Sequence, residues 1–142
     1  MTKRLALALL LAVACFALTA CEVFGDKDKE ALNRPCAGAA AQIHRSGPLP
    51  GGFPDAPGIR YTAVQKHGPT TIASGFIDTT IGPAHQAYAK AIRNAKGYSV
   101  TKEEQDAADS EVNFAGNGTS GQVKMVQECK SRTNVTITIR PA

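Results

Sequence analysis

The sequence predicts a two-layer α+β domain, an antiparallel sheet of five to six strands covered on one face by one main helix, with a short N-terminal helical segment. Three observations carry this. Asn134 to Arg140 alternates strictly, with Val135, Ile137 and Ile139 on one side and Thr136 and Thr138 on the other, as a strand with one buried face must. Ala84, Tyr88, Ala91, Ile92 and Ala95 recur at helical spacing instead. Turn signals, Asn117-Gly118 the clearest, separate the remaining apolar runs.

Taken in chain order, Glu22 to Glu30 is mostly charged and reads as a tether. Residues 29–34 suit a helical turn that Pro35 interrupts. The Ala-rich run Cys36 to His44 reads as a short helix, weakened by Gly38. Ser46 to Gly58 contains four prolines, which exclude regular helix and central strand. It is expected to be an extended connector, with Leu49 and Phe53 free to pack on the domain. Ile59 to Lys66 and Thr71 to Asp78 are strands joined by the turn His67-Gly68-Pro69-Thr70. Gly75 inside the second strand marks a bulge or a close backbone approach. Gly82-Pro83 opens the helix and Gly97 stops it. Tyr98 to Thr101 is a short strand, and Lys102 to Ser110 an acidic connector. Glu111 to Ala115, Gln122 to Cys129 and Asn134 to Arg140 complete the sheet, with residues 116–121 as a hairpin loop. On Gln122 to Cys129, Val123, Met125 and Cys129 share one face, and Lys124, Val126 and Glu128 the other.

The N-terminus carries an address. Met1-Thr2-Lys3-Arg4 is followed by 16 largely apolar residues, Leu5 to Ala20. That is short of the roughly 20 needed to span a bilayer, and fits an export signal with a small-residue cleavage site. Leu18-Thr19-Ala20-Cys21 resembles the lipobox of bacterial lipoproteins. The resemblance implies a diacylglyceryl group, with acyl chains such as palmitate, on the Cys21 thiol and cleavage just before it. The expected organisation is therefore a signal peptide at 1–20, a lipidated cysteine and tether at 21–31, and a single domain at 32–142. The anchor would hold the protein at the extracytoplasmic face of the cell membrane. Removing 20 of the 142 residues leaves 122, one domain by length. It also removes Lys3 and Arg4, so 14 basic and 12 acidic residues remain and the net charge falls from +4 to +2. With no block of five like charges, nucleic acid is not an expected partner.

Cys15 leaves with the signal, and Cys21 carries lipid in this reading. Cys36 and Cys129 remain, and two thiols in an oxidising space most simply pair, closing a loop of more than 90 residues. No Cys-x-x-Cys redox spacing occurs.

No catalytic set assembles. His44, His67 and His85 are scattered without metal-ligand spacing, so no metal and no cofactor are expected. There is no Gly-x-Ser-x-Gly elbow, and residues 118–121 match a phosphate cradle only in composition. Glu103, Glu104, Asp106, Asp109 and Glu111 form the densest carboxylate cluster. A solvated connector is the simplest reading of it. Acid–base work would require burial to push the pKa values apart.

The mature chain is similar to small exported lipoproteins of high-GC Gram-positive bacteria. The residues that carry this are the lipobox, Lys96-Gly97-Tyr98, Glu111 to Gly116, and the ending Thr136 to Pro141. This group lends no catalytic residues to the chain. The expected function is a lipid-anchored extracytoplasmic binding or accessory module of the cell envelope, holding an envelope protein or small ligand by its open sheet face or its loops. The rival is a small envelope hydrolase using residues 103–111, with Asp106 and Asp109 directed into a pocket. A third reading is a structural or stress protein with no site.

Overall fold

The computed structural model describes Glu30 and residues 32–142. The expected signal peptide, lipidated Cys21 and tether lie outside the described residues, Glu30 apart. Strands β1 (Arg60–His67) and β2 (Thr70–Ile77) form a hairpin, helix α1 (Ile81–Asn94) follows, and β3 (Tyr98–Gln105), β4 (Asp109–Gly116), β5 (Thr119–Cys129) and β6 (Arg132–Pro141) form a meander. The six strands make one antiparallel sheet in the order β1-β2-β6-β5-β4-β3. The chain leaves β2, crosses the sheet as α1 and re-enters at the far edge, and the meander then returns until β6 lies beside β2.

Alternation sets the two faces. Val112 pairs with Val123, Val123 with Ile137, and Ile137 with Ala73, all buried on the helix side of the sheet. Helix α1 contributes Ile81, Ala84, His85, Tyr88, Ala89 and Ile92. Each Ile or Val fully removed from water contributes roughly 1.5–3 kcal/mol. Turn chemistry fixes the register. Asn117 and Gly118 both have positive φ, 47° and 71°, as a two-residue primed turn between β4 and β5 requires. Gly75 lies where β1 bulges between Tyr61 and Ala63, and a Cβ there would sit 2.4 Å from the Arg60 carbonyl oxygen. The close approach read from sequence is thus real.

Three local expectations are corrected. Cys36 to His44 is extended, not helical. So short a helix is marginal alone, and tertiary contacts hold this segment out. Cys36 is disulfide-bonded to Cys129 with Cα atoms 5.1 Å apart, the Ala37 carbonyl accepts from Arg132 Nη1 at 3.0 Å, and the Ile43 amide donates to the Tyr61 carbonyl at 2.8 Å. The helical turn expected at residues 29–34 is present, with Glu30, Leu32 and Asn33 helical and the Arg34 amide donating to the Glu30 carbonyl at 2.9 Å. Helix α1 starts at Ile81, before Gly82-Pro83, because a distant side chain caps it. Gln127 Oε1 accepts from the Ile81 amide at 2.6 Å, while Gln127 Nε2 donates to the Cys129 carbonyl. The acidic connector is mostly strand: β3 runs to Gln105 and β4 begins at Asp109. The Asp106 amide closes the turn on the Asp109 carbonyl at 2.9 Å.

The Pro-rich connector supplies the rest of the cover. Leu49 and Phe53 are 2% and 3% exposed. The Phe53 ring lies 4.4 Å from Phe114 and meets Tyr98 edge-on at 5.7 Å. Among the described residues no helix is long and apolar enough to cross a membrane.

Two stability outcomes follow. The Cys36–Cys129 bridge spans 93 residues, so the Cys36→Ala, Cys129→Ala double variant should lose roughly 2–5 kcal/mol of unfolding free energy in urea. Gln127→Leu strands a helix-start N–H and a carbonyl, both buried, and should cost about 2–5 kcal/mol by the same measurement. A loss below 0.5 kcal/mol in ordinary titrations, roughly the level of surface substitutions, would show that Gln127 is not the cap.

Candidate functional site

Residues 43–50 pass along the outer edge of β1 and turn under the helix side of the sheet, where Leu49 enters the core. Between this arm and the β1–β2 hairpin lies a groove of about 600 Å³. Ile43, Pro48, Leu49 and Val64 supply its apolar walls, and Arg45 and Lys66 its cations, with Thr71 and His44 also facing it. Among the described residues no carboxylate lines it. The volume is that of a small-molecule site.

A polar network fixes the arm. Asp55 takes the Arg45 guanidinium on one oxygen at 2.5 Å and the Tyr61 hydroxyl on the other at 2.6 Å. The Arg45 guanidinium also lies 4.9 Å from the centre of the Tyr61 ring. Burial first, then the hydrogen bond to Asp55, holds the Tyr61 hydroxyl far above the ordinary tyrosine range. Tyr88 reaches the same place from α1, and burial raises its hydroxyl well above that range too.

Of the residues singled out from sequence, Cys36 and Cys129 are brought together, and Cys21 lies outside the described residues. The carboxylates are not brought together. Glu103 turns to the helix side and pairs with Arg93 and His85 of α1. Glu104 and Glu111 face each other across β3 and β4 on the open side, each matched by a lysine, Lys102 and Lys124. Asp106 is exposed in a turn, and the half-buried Asp109 shares the open face with Val126. His67 contacts Gln65, His85 contacts Glu103, and His44 sits at the groove. Among the described residues, no group of three His, Cys, Asp or Glu side chains gathers to hold a metal. Ser99-Val-Thr-Lys102 has a Ser-x-x-Lys spacing, but it lies on strand β3. Ser99 donates to the Ala115 carbonyl, and the Glu104 contact raises the Lys102 pKa, which opposes a role as base.

The open sheet face is polar. Ser74, Thr136, Lys124 and Glu111 run across it, and Phe76 is covered by the guanidinium groups of Arg132 and Arg60, 5.0 and 5.7 Å from its ring centre. The amphipathic groove is on the other side, built by two segments, residues 43–50 and 64–71, that lie 14 or more positions apart. Only the solitary Ile43 beside a Pro-rich stretch hinted at it.

The tyrosines give the site a pH signature. Both hydroxyls stay protonated in the folded state above the pH where unfolded tyrosine ionises, about 10. Their stabilising effect is full below that pH and is lost above it, at up to about 1.4 kcal/mol per pH unit per tyrosine. Urea unfolding from pH 9 to 11.5 should therefore show a falling stability whose slope lessens in Tyr61→Phe. An unchanged slope would mean that Tyr61 titrates normally.

No family model matches this chain, and no match was found among curated proteins or solved structures. The site is therefore interpreted from its own geometry.

Proposed function

We propose that this protein is a lipid-anchored extracytoplasmic binding module of the cell envelope, held at the outer face of the cytoplasmic membrane through Cys21 and presenting a preformed groove to a small ligand or partner. The observation that carries the reading is the joint placement of the cysteines. Cys36 and Cys129 are consumed by a long-range disulfide that belongs in an oxidising compartment, and Cys21 directly follows Leu18-Thr19-Ala20. The groove supports binding over scaffolding, because its walls are fixed at both ends: Ile43 is bonded to β1, and Leu49 is in the core. A site that needs no ordering on binding loses less affinity to entropy. Two or more acyl chains would give the stable attachment that one chain cannot.

Intact-mass spectrometry and labelling with an alkyne-tagged palmitate test the anchor. The mature protein should begin at Cys21 and carry the label, and Cys21→Ala should carry none. An unmodified Cys21 in the wild-type protein, or cleavage elsewhere, would overturn the lipid-anchored reading.

A further inference from the structure

We propose that the groove between residues 43–50 and the β1–β2 hairpin binds a small amphipathic anion, a carboxylate or phosphate carried on an unbranched apolar chain. This rests on reading the domain as a binding module, and it names the ligand class for that same site.

The apolar half of the argument is Ile43. It is 41% exposed, and with Val126 on the opposite face it is one of two large hydrophobic side chains exposed among the described residues. Ile43, Pro48, Leu49 and Val64 line the same groove, so an exposed apolar side chain has apolar neighbours there beside polar ones. Such a patch rimmed by polar groups marks a binding site.

The charged half is Lys66. Arg45 is committed to Asp55, and that ion pair is neutral overall. Among the described residues Lys66 takes part in no ion pair, and it lies opposite Thr71 in the β1–β2 register, both lining the groove. With His44 nearby and no carboxylate in the lining, the field inside the groove is positive. A cation beside an apolar wall selects a ligand with a negative head and an apolar body, and rejects both cationic amphiphiles and bare anions.

Lys66, the charged end of the groove, lies toward the opposite end of the sheet from the disulfide. Thr71 pairs with Ile139 near the end of β6, while the Cys36–Cys129 bridge sits beside Arg132 at its start. Arg132 and Ile139 are about 23 Å apart along β6 at roughly 3.3 Å per residue.

The test is ¹⁵N-resolved NMR titration of the soluble domain with laurate and with dodecyl phosphate below their aggregation concentrations. Dodecyltrimethylammonium, octyl glucoside and inorganic phosphate serve as comparisons. Both anionic amphiphiles should shift amides of residues 43–50 and 64–71, and should bind at least about tenfold tighter than any of the three comparisons. Lys66→Gln should weaken both about tenfold, Val64→Thr should weaken them several-fold, and Lys90→Gln, on the exposed side of α1, should change nothing. A tighter dodecyl phosphate identifies a phosphate head, and a tighter laurate a carboxylate. Binding that ignores Lys66→Gln, equal binding of the neutral or cationic amphiphile, shifts mapping elsewhere, or no binding at millimolar ligand would each overturn the proposal. The acylation test reads Cys21 alone, so either result can fail without the other.

Discussion

The constraint on which the rest depends is one of area: a six-stranded sheet must be covered by a single helix. Six strands at about 4.8 Å spacing span roughly 24 Å from first to last, and a helix with its side chains covers about 10 Å of width. Helix α1 packs chiefly on the β3–β4 side of the sheet. The helix side of β1 and β2 would be left in water without another cover. Residues 46–58 extend the cover, with Leu49, Phe53 and Ala56 all buried, Leu49 beside the β1–β2 hairpin and Phe53 against Tyr98 of β3 and Phe114 of β4. The connector is therefore half of the second layer, and its route along β1 creates the groove as a consequence of closing the core.

The two exposed margins of the sheet explain other features of the sequence. An unpaired edge strand invites pairing with another chain. At β1, the arm lies alongside and takes a backbone hydrogen bond through Ile43 and Tyr61. At β3 the device is different. The strand bulges at Thr101 and continues as Lys102, Glu103, Glu104 and Gln105, all exposed. A bulge and a run of charges make a poor template for a neighbouring strand. The carboxylates that invite a catalytic reading in one dimension are, in three, edge protection and matched ion pairs.

Legibility in the sequence followed the range of the interaction. Period-2 alternation in β6 and the Asn117-Gly118 turn are local, and both were readable. The disulfide was reachable by elimination. The second half of β3 was not readable, because an edge strand wet on most sides needs no alternation. Cys36 to His44 misled for the opposite reason: alanine favours helix locally, but the bridge and the contacts at Ala37 and Ile43 impose an extended path. The start of α1 depended on Gln127, 46 residues away. The groove depended on the same kind of long-range closure, so no motif announced it.

A Pro- and Gly-rich arm has little to specify its own position. Apolar anchors such as Leu49 and Phe53 tolerate small shifts in register, since nearby apolar contacts are nearly equivalent. The Asp55 carboxylate does not. It must meet Arg45 and Tyr61 on its two oxygens together, and a displaced arm would leave a phenol or a guanidinium unpaired away from water. Removing one partner from such a set costs more than the intact set contributes, so its value lies in excluding alternatives. Tyr61 carries this network from the arm to β1, and the buried Tyr88 hydroxyl of α1 lies beside it, so arm, sheet and helix meet at one point. That junction ties Arg45 to Asp55 and leaves Lys66, which has no ion-pair partner among the described residues, to carry the net charge of the groove, so the charge of the site rests on a strand and not on the arm that shapes it.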